Sequence, residues 1–185
     1  MKKLFFYSLL SLFFFGCNDK SEKTDVSTGD STKMASTAST DELVYPYTLD
    51  QPYKDWQPGD KQHTITVMNS LKAFAAGDIE GAMAGFGDSI DVRLDYYHGK
   101  LSHDSLRNFF TKDRANFSSI TIKMGDWESV ISKDKKDEYV TLWYKQIMTD
   151  KAGKTDSLSV IDDAKMVNGK IVELDEKIQH FPAKK

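Results

Sequence analysis

Apolar residues recur along this chain at two different periods. From Lys61 onward, Ile65, Met68, Leu71 and Phe74/Ala75 return at helical spacing with polar residues between them. Gly77-Asp78 then supplies the residue types that close one helix and cap the next. Ile79, Ala82, Met83 and Phe86 make a second, shorter apolar face. In "SIDVRLDYY" the period drops to two: Ile90, Val92, Leu94 and Tyr96 alternate with Asp91, Arg93 and Asp95, which predicts a strand. Ser102 or Asp104 is placed to cap a third helix carrying Leu106, Phe109 and Phe110 and reaching Phe117.

Beyond that helix the period stays at two. Strands are predicted over 119–131, 137–149, 157–167 and 170–181, separated by the turn-like "SKDKKD", "DKAGKTD" and "NG". In the first of them Ile120, Ile122 and Met124 hold one parity while Trp127 and Ile131 hold the other, and a β-bulge at Gly125-Asp126 reconciles the two. Three helices followed by a meander of four long antiparallel strands predict an α+β domain, its helices packed on one face of the sheet.

The segments before Lys61 have a different composition. Residues 18–42 are rich in Ser, Thr, Asp and Lys and bury too little apolar surface to offset their ordering entropy, so they read as a flexible tether. Residues 43–60 carry three of the chain's 4 prolines with Tyr45, Tyr47, Tyr53 and Trp56. Two readings of this lead-in stand: an ordered, irregular segment lying against the domain, or a semi-rigid linker. With 185 residues the chain holds one domain, 61–181, and a tail. A net charge of -3, with bases interleaved among acids, excludes the clustered Lys and Arg that a nucleic-acid backbone requires. The 1 cysteine makes neither an internal disulfide nor a thiolate metal site.

That cysteine, Cys17, ends a distinctive N-terminus. Met1-Lys2-Lys3 is basic, and Leu4 to Phe15 is apolar but shorter than the about 20 residues that span a bilayer. "FFGC" (Phe14-Phe15-Gly16-Cys17) resembles the lipobox of bacterial lipoproteins, departing from it at Phe14, where Leu is usual. The resemblance implies a signal peptide over 1–16, cleavage before Cys17 and acylation of that residue. It also implies a protein lipid-anchored to a membrane of the bacterial cell envelope, on either leaflet, periplasmic or surface-exposed. The alternative is an ordinary secretory peptide with an incidental cysteine, against which the placement of the sole thiol argues.

"LKAFAAGDIEGAMAGFGDSIDV" (Leu71–Val92) and "MVNGKIVELDEKIQHF" (Met166–Phe181) resemble the NTF2-like superfamily, in its SnoaL-like and ketosteroid-isomerase-like branch, and the order of elements matches it over 61–181. The resemblance implies a strongly curved sheet wrapped with helices into a cone, with a pocket at its mouth. The superfamily includes isomerases, dehydratases, hydrolases and members that only bind or assemble.

Alternation identifies the side chains that face such a pocket. Val172, Leu174 and Ile178 share a face with Glu176 and His180; Leu158, Val160, Ala164 and Met166 share one with Asp162; and Val140, Leu142 and Met148 share one with Tyr144 and Gln146. Ionisable groups on apolar faces are costly unless paired, which makes Tyr144, Gln146, Asp162, Glu176 and His180 the pocket candidates. Each has a structural alternative: a rim position for His180, a rim ion pair for Glu176, a backbone bond for Asp162, and a core tyrosine with a satisfied hydroxyl for Tyr144.

The isomerase branch needs a first-strand carboxylate base, a tyrosine and a protonated aspartate. Asp162 falls near the donor aspartate, but the base position falls on Leu94, with Asp95 on the wrong parity, and the tyrosine position falls near Ser70. The hydrolase branch draws an Asp–Arg–Asp set from different strands, whereas Asp91, Arg93 and Asp95 share one strand and read as a solvated face. His63, His98, His103 and His180 are scattered without HExxH, and there is neither a GxSxG elbow nor a phosphate-cradling glycine loop, so no metal and no cofactor is expected.

Tyr139, Trp143 and Ile147 point to the outer surface, which fits either a homodimer contact or cover by the lead-in. The leading expectation is a lipid-tethered module that binds a small, partly apolar molecule or a partner protein. An enzyme using Asp162 with Glu176 or His180 is the rival, and a dimerising accessory lipoprotein is the third possibility.

Overall fold

The computed structural model describes residues 45–180. The signal peptide, Cys17, the tether and Phe181 lie outside the described residues. The chain divides into two units, Met1–Pro46 and Tyr47–Lys185, and all that follows concerns the second.

Local chemistry sets the helices. In α1 (Lys61–Ala76), Asp60 accepts from the Gln62 amide at 2.7 Å as N-cap. Gly77 ends the helix at φ 86°, where a glycine has no Cβ to clash, and its N–H reaches the Phe74 carbonyl at 2.9 Å. Asp78 caps the short α2 (Ile79–Met83) by accepting from the Gly81 amide at 2.8 Å. Of the two candidate caps for α3 (His103–Arg114), Ser102 is the cap, accepting from the Ser105 amide, and Asp104 instead pairs with Arg107 at 2.6 Å. No helix among the described residues is long and apolar enough to cross a membrane.

The strands are β1 (Gln57–Pro58), β2 (Phe86–Leu94), β3 (Tyr97–Ser102), β4 (Phe117–Ile131), β5 (Glu138–Asp150), β6 (Thr155–Val167) and β7 (Lys170–His180). They form one seven-stranded sheet in the order β1-β4-β5-β6-β7-β2-β3. Here the structure corrects several expectations. The sheet is mixed rather than wholly antiparallel, because β2 returns to lie parallel to β7. A hairpin, β2–β3, stands where only one strand was predicted, and α3 follows it instead of closing a run of N-terminal helices. The stretch "YHGKLS" is short, and its glycine dilutes the alternation. Phe86 and Phe117 begin strands instead of ending helices, and Ile65, predicted to face the core, is 47% exposed.

Besides a register shift at the start of β4, between Phe117 and Ser119, two bulges lie within the long strands. The β4–β5 register shifts between Met124 and Asp126, the expected place. A second shift, unforeseen, comes where Lys165 and Met166 face Glu173 and Ile171, leaving Val172 as the extra residue. Its effect is that Ile171, not Val172, takes the inner position at 1% exposed. The helices pack on the inner face, where Val67, Met83, Phe86, Ile90, Val92, Leu106, Leu142 and Val160 form the centre of the core.

On the outer face the lead-in is ordered. Gln57–Pro58 pairs with the β4 edge, and Trp56 meets Tyr139 edge-on with ring centroids 6.0 Å apart, so lead-in cover is realised at Tyr139. Tyr47 and Tyr53 stay exposed, so this cover comes from Trp56 alone among the lead-in aromatics discussed.

Leu106 is fully buried and anchors α3 against the sheet. Leu106→Ala is expected to lower the unfolding free energy in urea by about 2–5 kcal/mol, the range for a buried leucine whose site does not collapse.

Candidate functional site

Short helices over a bent sheet leave a space between them. A cavity of about 240 Å³ lies between α1, α3, the β2–β3 turn and the inner faces of β5, β6 and β7. Its walls are largely apolar: Leu71 and Phe74 come from α1, Phe109 and Phe110 from α3, and Leu158, Leu174 and Ile178 from the sheet. Tyr144, Gln146, Asp162, Glu176 and His180, the five pocket candidates, all line it. Asp95, Tyr96 and Asp113 line it as well and were not singled out for it.

At the floor, β6 and β7 place Asp162 directly opposite Glu176 in register. Tyr144, on β5, donates its hydroxyl to Asp162 Oδ2 at 2.8 Å, while Asp162 Oδ1 is buried without a hydrogen-bond partner. Burial raises the Asp162 pKa to about 7, with the Tyr144 hydrogen bond pulling the other way. Burial, then the Asp162 charge, then Asp113 and Asp95 raise Glu176 to about 8. The two carboxyls therefore titrate as a pair near neutrality. Burial likewise holds the Tyr144 hydroxyl well above its ordinary range, so it acts as a donor. Neither a rim ion pair for Glu176 nor a backbone bond for Asp162 is present among the described residues.

The mouth is wetter. His180 Nε2 lies 3.2 Å from Asp95 Oδ2, and both side chains are more than half exposed, which matches the rim position. Tyr96 donates to Asp113 Oδ1 at 3.3 Å; burial lifts the Asp113 pKa, and that of Tyr96 rises to about 12. Gln146 is spent locally, its amide donating to Met148 Sδ at 3.2 Å.

Two comparisons with enzyme chemistry resolve on this geometry. Ser70, at the isomerase tyrosine position, donates to the Ala82 carbonyl at 2.6 Å and holds α1 to α2. Leu94 lines the cavity as a hydrocarbon group, but Asp95 also reaches it, correcting the parity assignment: β2 ends at Leu94, and a turn no longer alternates. Asp91 and Arg93 face outward, where Arg93 meets Glu173 at 2.9 Å and Asp91 at 3.3 Å, so the three residues do not form one face. Among the described residues no group of three or more His, Cys, Asp or Glu is arranged to hold a metal.

No protein-family model and no curated protein matches the sequence. Solved structures do match in three dimensions. An NTF2-like protein of unknown function from Burkholderia pseudomallei is 16% identical, with 65% of this chain and 92% of that one aligned at a TM-score of 0.53. The fold is NTF2-like. An epoxide hydrolase of the LEH-like type from M. tuberculosis aligns at 12% identity, over 66% of this chain and 86% of its own, with a TM-score of 0.52. TerC, co-crystallised with polyporic acid, aligns at 16% identity, over 64% and 92%, with a TM-score of 0.53. At these identities the likeness establishes architecture and no activity.

The carboxyl pair predicts a pH dependence. Unfolded Asp and Glu give up their protons near about pH 4, whereas the folded pair keeps them until about 7 and about 8. Between those limits the folded state binds more protons, so its stability falls as pH rises, by at most about 1.4 kcal/mol per pH unit for each proton. Urea midpoints measured from about pH 5 to about pH 8 are expected to fall in the native protein and to fall less steeply in Glu176→Gln. Tyr144→Phe, which removes the hydrogen bond that favours the Asp162 anion, is expected to move the Asp162 titration further up by carboxyl NMR.

Proposed function

We propose that this chain is a lipid-anchored NTF2-like, SnoaL-like binding protein of the bacterial cell envelope whose cavity holds a small, partly apolar ligand. The observation that carries the reading is the open-mouthed space of about 240 Å³, greasy over most of its wall and polar at its floor, where Tyr144, Asp162 and Glu176 meet. Such a site gains affinity from apolar area and orientation from a few placed polar groups. Binding is favoured over isomerase chemistry because Ser70, at the tyrosine position, is spent on the Ala82 carbonyl, and Asp95, the carboxylate beside Leu94, is engaged with His180 at the exposed rim. The fold neighbours include a protein co-crystallised with polyporic acid and an epoxide hydrolase, so this architecture accommodates both kinds of use.

One observation favours an enzyme as the second reading: two adjacent carboxyls that titrate near neutrality are poised to give and take a proton. In a catalyst, Asp162→Asn and Glu176→Gln abolish turnover while largely sparing ligand affinity. In a binding protein they change affinity and there is no turnover to lose. Mass spectrometry of small molecules that co-purify with the full chain is the direct test, and a cavity that carries no organic molecule from the cell counts against the reading.

The anchor rests on Gly16-Cys17 at the end of the apolar segment. Each buried CH₂ contributes about 0.8 kcal/mol, so one acyl chain holds marginally and two or three hold firmly. Cys17→Ser is expected to abolish labelling by radioactive palmitate and to shift the protein from the membrane to the soluble fraction. Purified protein that retains residues 1–16 and an unmodified sulfur overturns the anchor.

A further inference from the structure

Charge is distributed unequally across the sheet. Four carboxyl side chains reach the cavity, Asp95, Asp113, Asp162 and Glu176, and none of its described lining residues is Lys or Arg. Of the nearby cations, Lys177 and Arg93 are on the other surface and paired, Lys177 lying 2.7 Å from Asp163 and 3.2 Å from Asp175 and Arg93 meeting Glu173, while Arg114 on α3 turns its guanidinium to the Phe117 and Ala75 carbonyls at 2.8 and 3.3 Å. Strand alternation enforces this separation, since neighbours in sequence point to opposite faces. Among the described lining residues His180 is the one imidazole, and it lies 3.2 Å from Asp95 at the exposed rim.

Asp162 carries a second, independent indication. It is 6% exposed and lines the cavity, yet its Oδ1 has no hydrogen-bond partner. A buried carboxyl with an unmet acceptor, facing another across the register, is a cost that an entering donor offsets.

The opposite wall is aromatic. Tyr96 stacks on Phe109 with centroids 6.3 Å apart, and Phe110 meets Phe74 at 5.2 Å and Phe86 at 5.6 Å. Ring faces are negative and attract cations. An anion entering this space finds no cation among the described lining residues and opposes ionisation of the acids on β6, β7, α3 and the β2–β3 turn, and a neutral apolar guest leaves Asp162 Oδ1 without a partner.

We propose that the cavity selects an organic cation, an amine-bearing molecule with an aryl or other apolar body, over neutral and anionic molecules of the same shape. This rests on the reading that the cavity holds a ligand at all. The ammonium sits toward Asp162 and Glu176, and the apolar body lies along the aromatic wall.

The groups facing that ammonium fix a proton linkage. They are Asp162 and Glu176 on the floor with Tyr144 beside them, Asp113 with Tyr96 above, and the Asp95–His180 pair at the rim. Both floor acids hold protons near neutrality, and an adjacent cation favours their charged forms. Amine binding therefore releases protons, and affinity rises from about pH 6 to about pH 8, where an alkylamine keeps its charge.

Isothermal titration of the full chain with 4-phenylbutylamine, 4-phenylbutan-1-ol and 4-phenylbutanoate separates the possibilities. The amine is expected to bind at least about tenfold more tightly than either of the others, and to release protons in buffers of different ionisation heat. Glu176→Gln is expected to erase most of that preference, and Asp113→Asn provides a second variant if the first does not fold. An alcohol or carboxylate that binds as tightly as the amine, or proton uptake on amine binding, overturns the cation assignment alone. Failure of all three to bind overturns the ligand-binding reading beneath it.

Discussion

Two carboxyl groups meet across the β6–β7 register inside a wall of hydrocarbon, and most of the chemistry available to this protein follows from that meeting. Asp162 and Glu176 are opposite each other because antiparallel pairing brings same-face residues of neighbouring strands together. Burial out of water, joined for Glu176 by the neighbouring Asp162 charge, disfavours the ionised forms, so the pair retains protons that free carboxyls lose. Tyr144 satisfies one oxygen and leaves another unmet. An apolar pair at these positions would suit the core better. The acids are a local cost in an otherwise consistent inner face, and such departures concentrate where a protein does something other than fold.

The surrounding architecture keeps that pair buried but reachable. Capped helices cover one side of the sheet only, and the cavity opens where α1 and α3 stand apart over it. Phe109 and Phe110 project from α3 to close the wall facing the strands. The bulge at Val172 turns Ile171 inward, adding apolar wall below Leu174 without disturbing the placement of Glu176. The outer surface is different in kind, with ion pairs over β2, β6 and β7 and aromatic residues near β5. The same backbone thus presents a charged exterior and an acidic interior, isolated from each other by alternation.

Much of the site was legible in the sequence. Tyr144, Gln146, Asp162, Glu176 and His180 stood out because a period of two sorts strand side chains to faces without any knowledge of neighbours. Asp95 and Asp113 did not. Asp95 sits one residue past the end of β2, where the chain turns and parity lapses, and Asp113 belongs to the last turn of a helix whose orientation no local pattern states. The β3 strand was missed because Gly99 interrupts its alternation. Phe86 and Phe117 suit the end of a helix as well as the start of a strand, because an aromatic at a boundary fits either period.

The sequence by itself determined the Gly77-Asp78 boundary, the bulge at Gly125-Asp126, the shared faces that carry Tyr144, Asp162 and Glu176, and the α+β class, since each depends on residues close along the chain. Tertiary structure decided that β2 lies parallel to β7, that the hairpin and α3 complete a cavity, and that buried acids hold their protons. Those outcomes depend on which distant segments meet and on how much water they exclude, and neither quantity is written in any local stretch of residues.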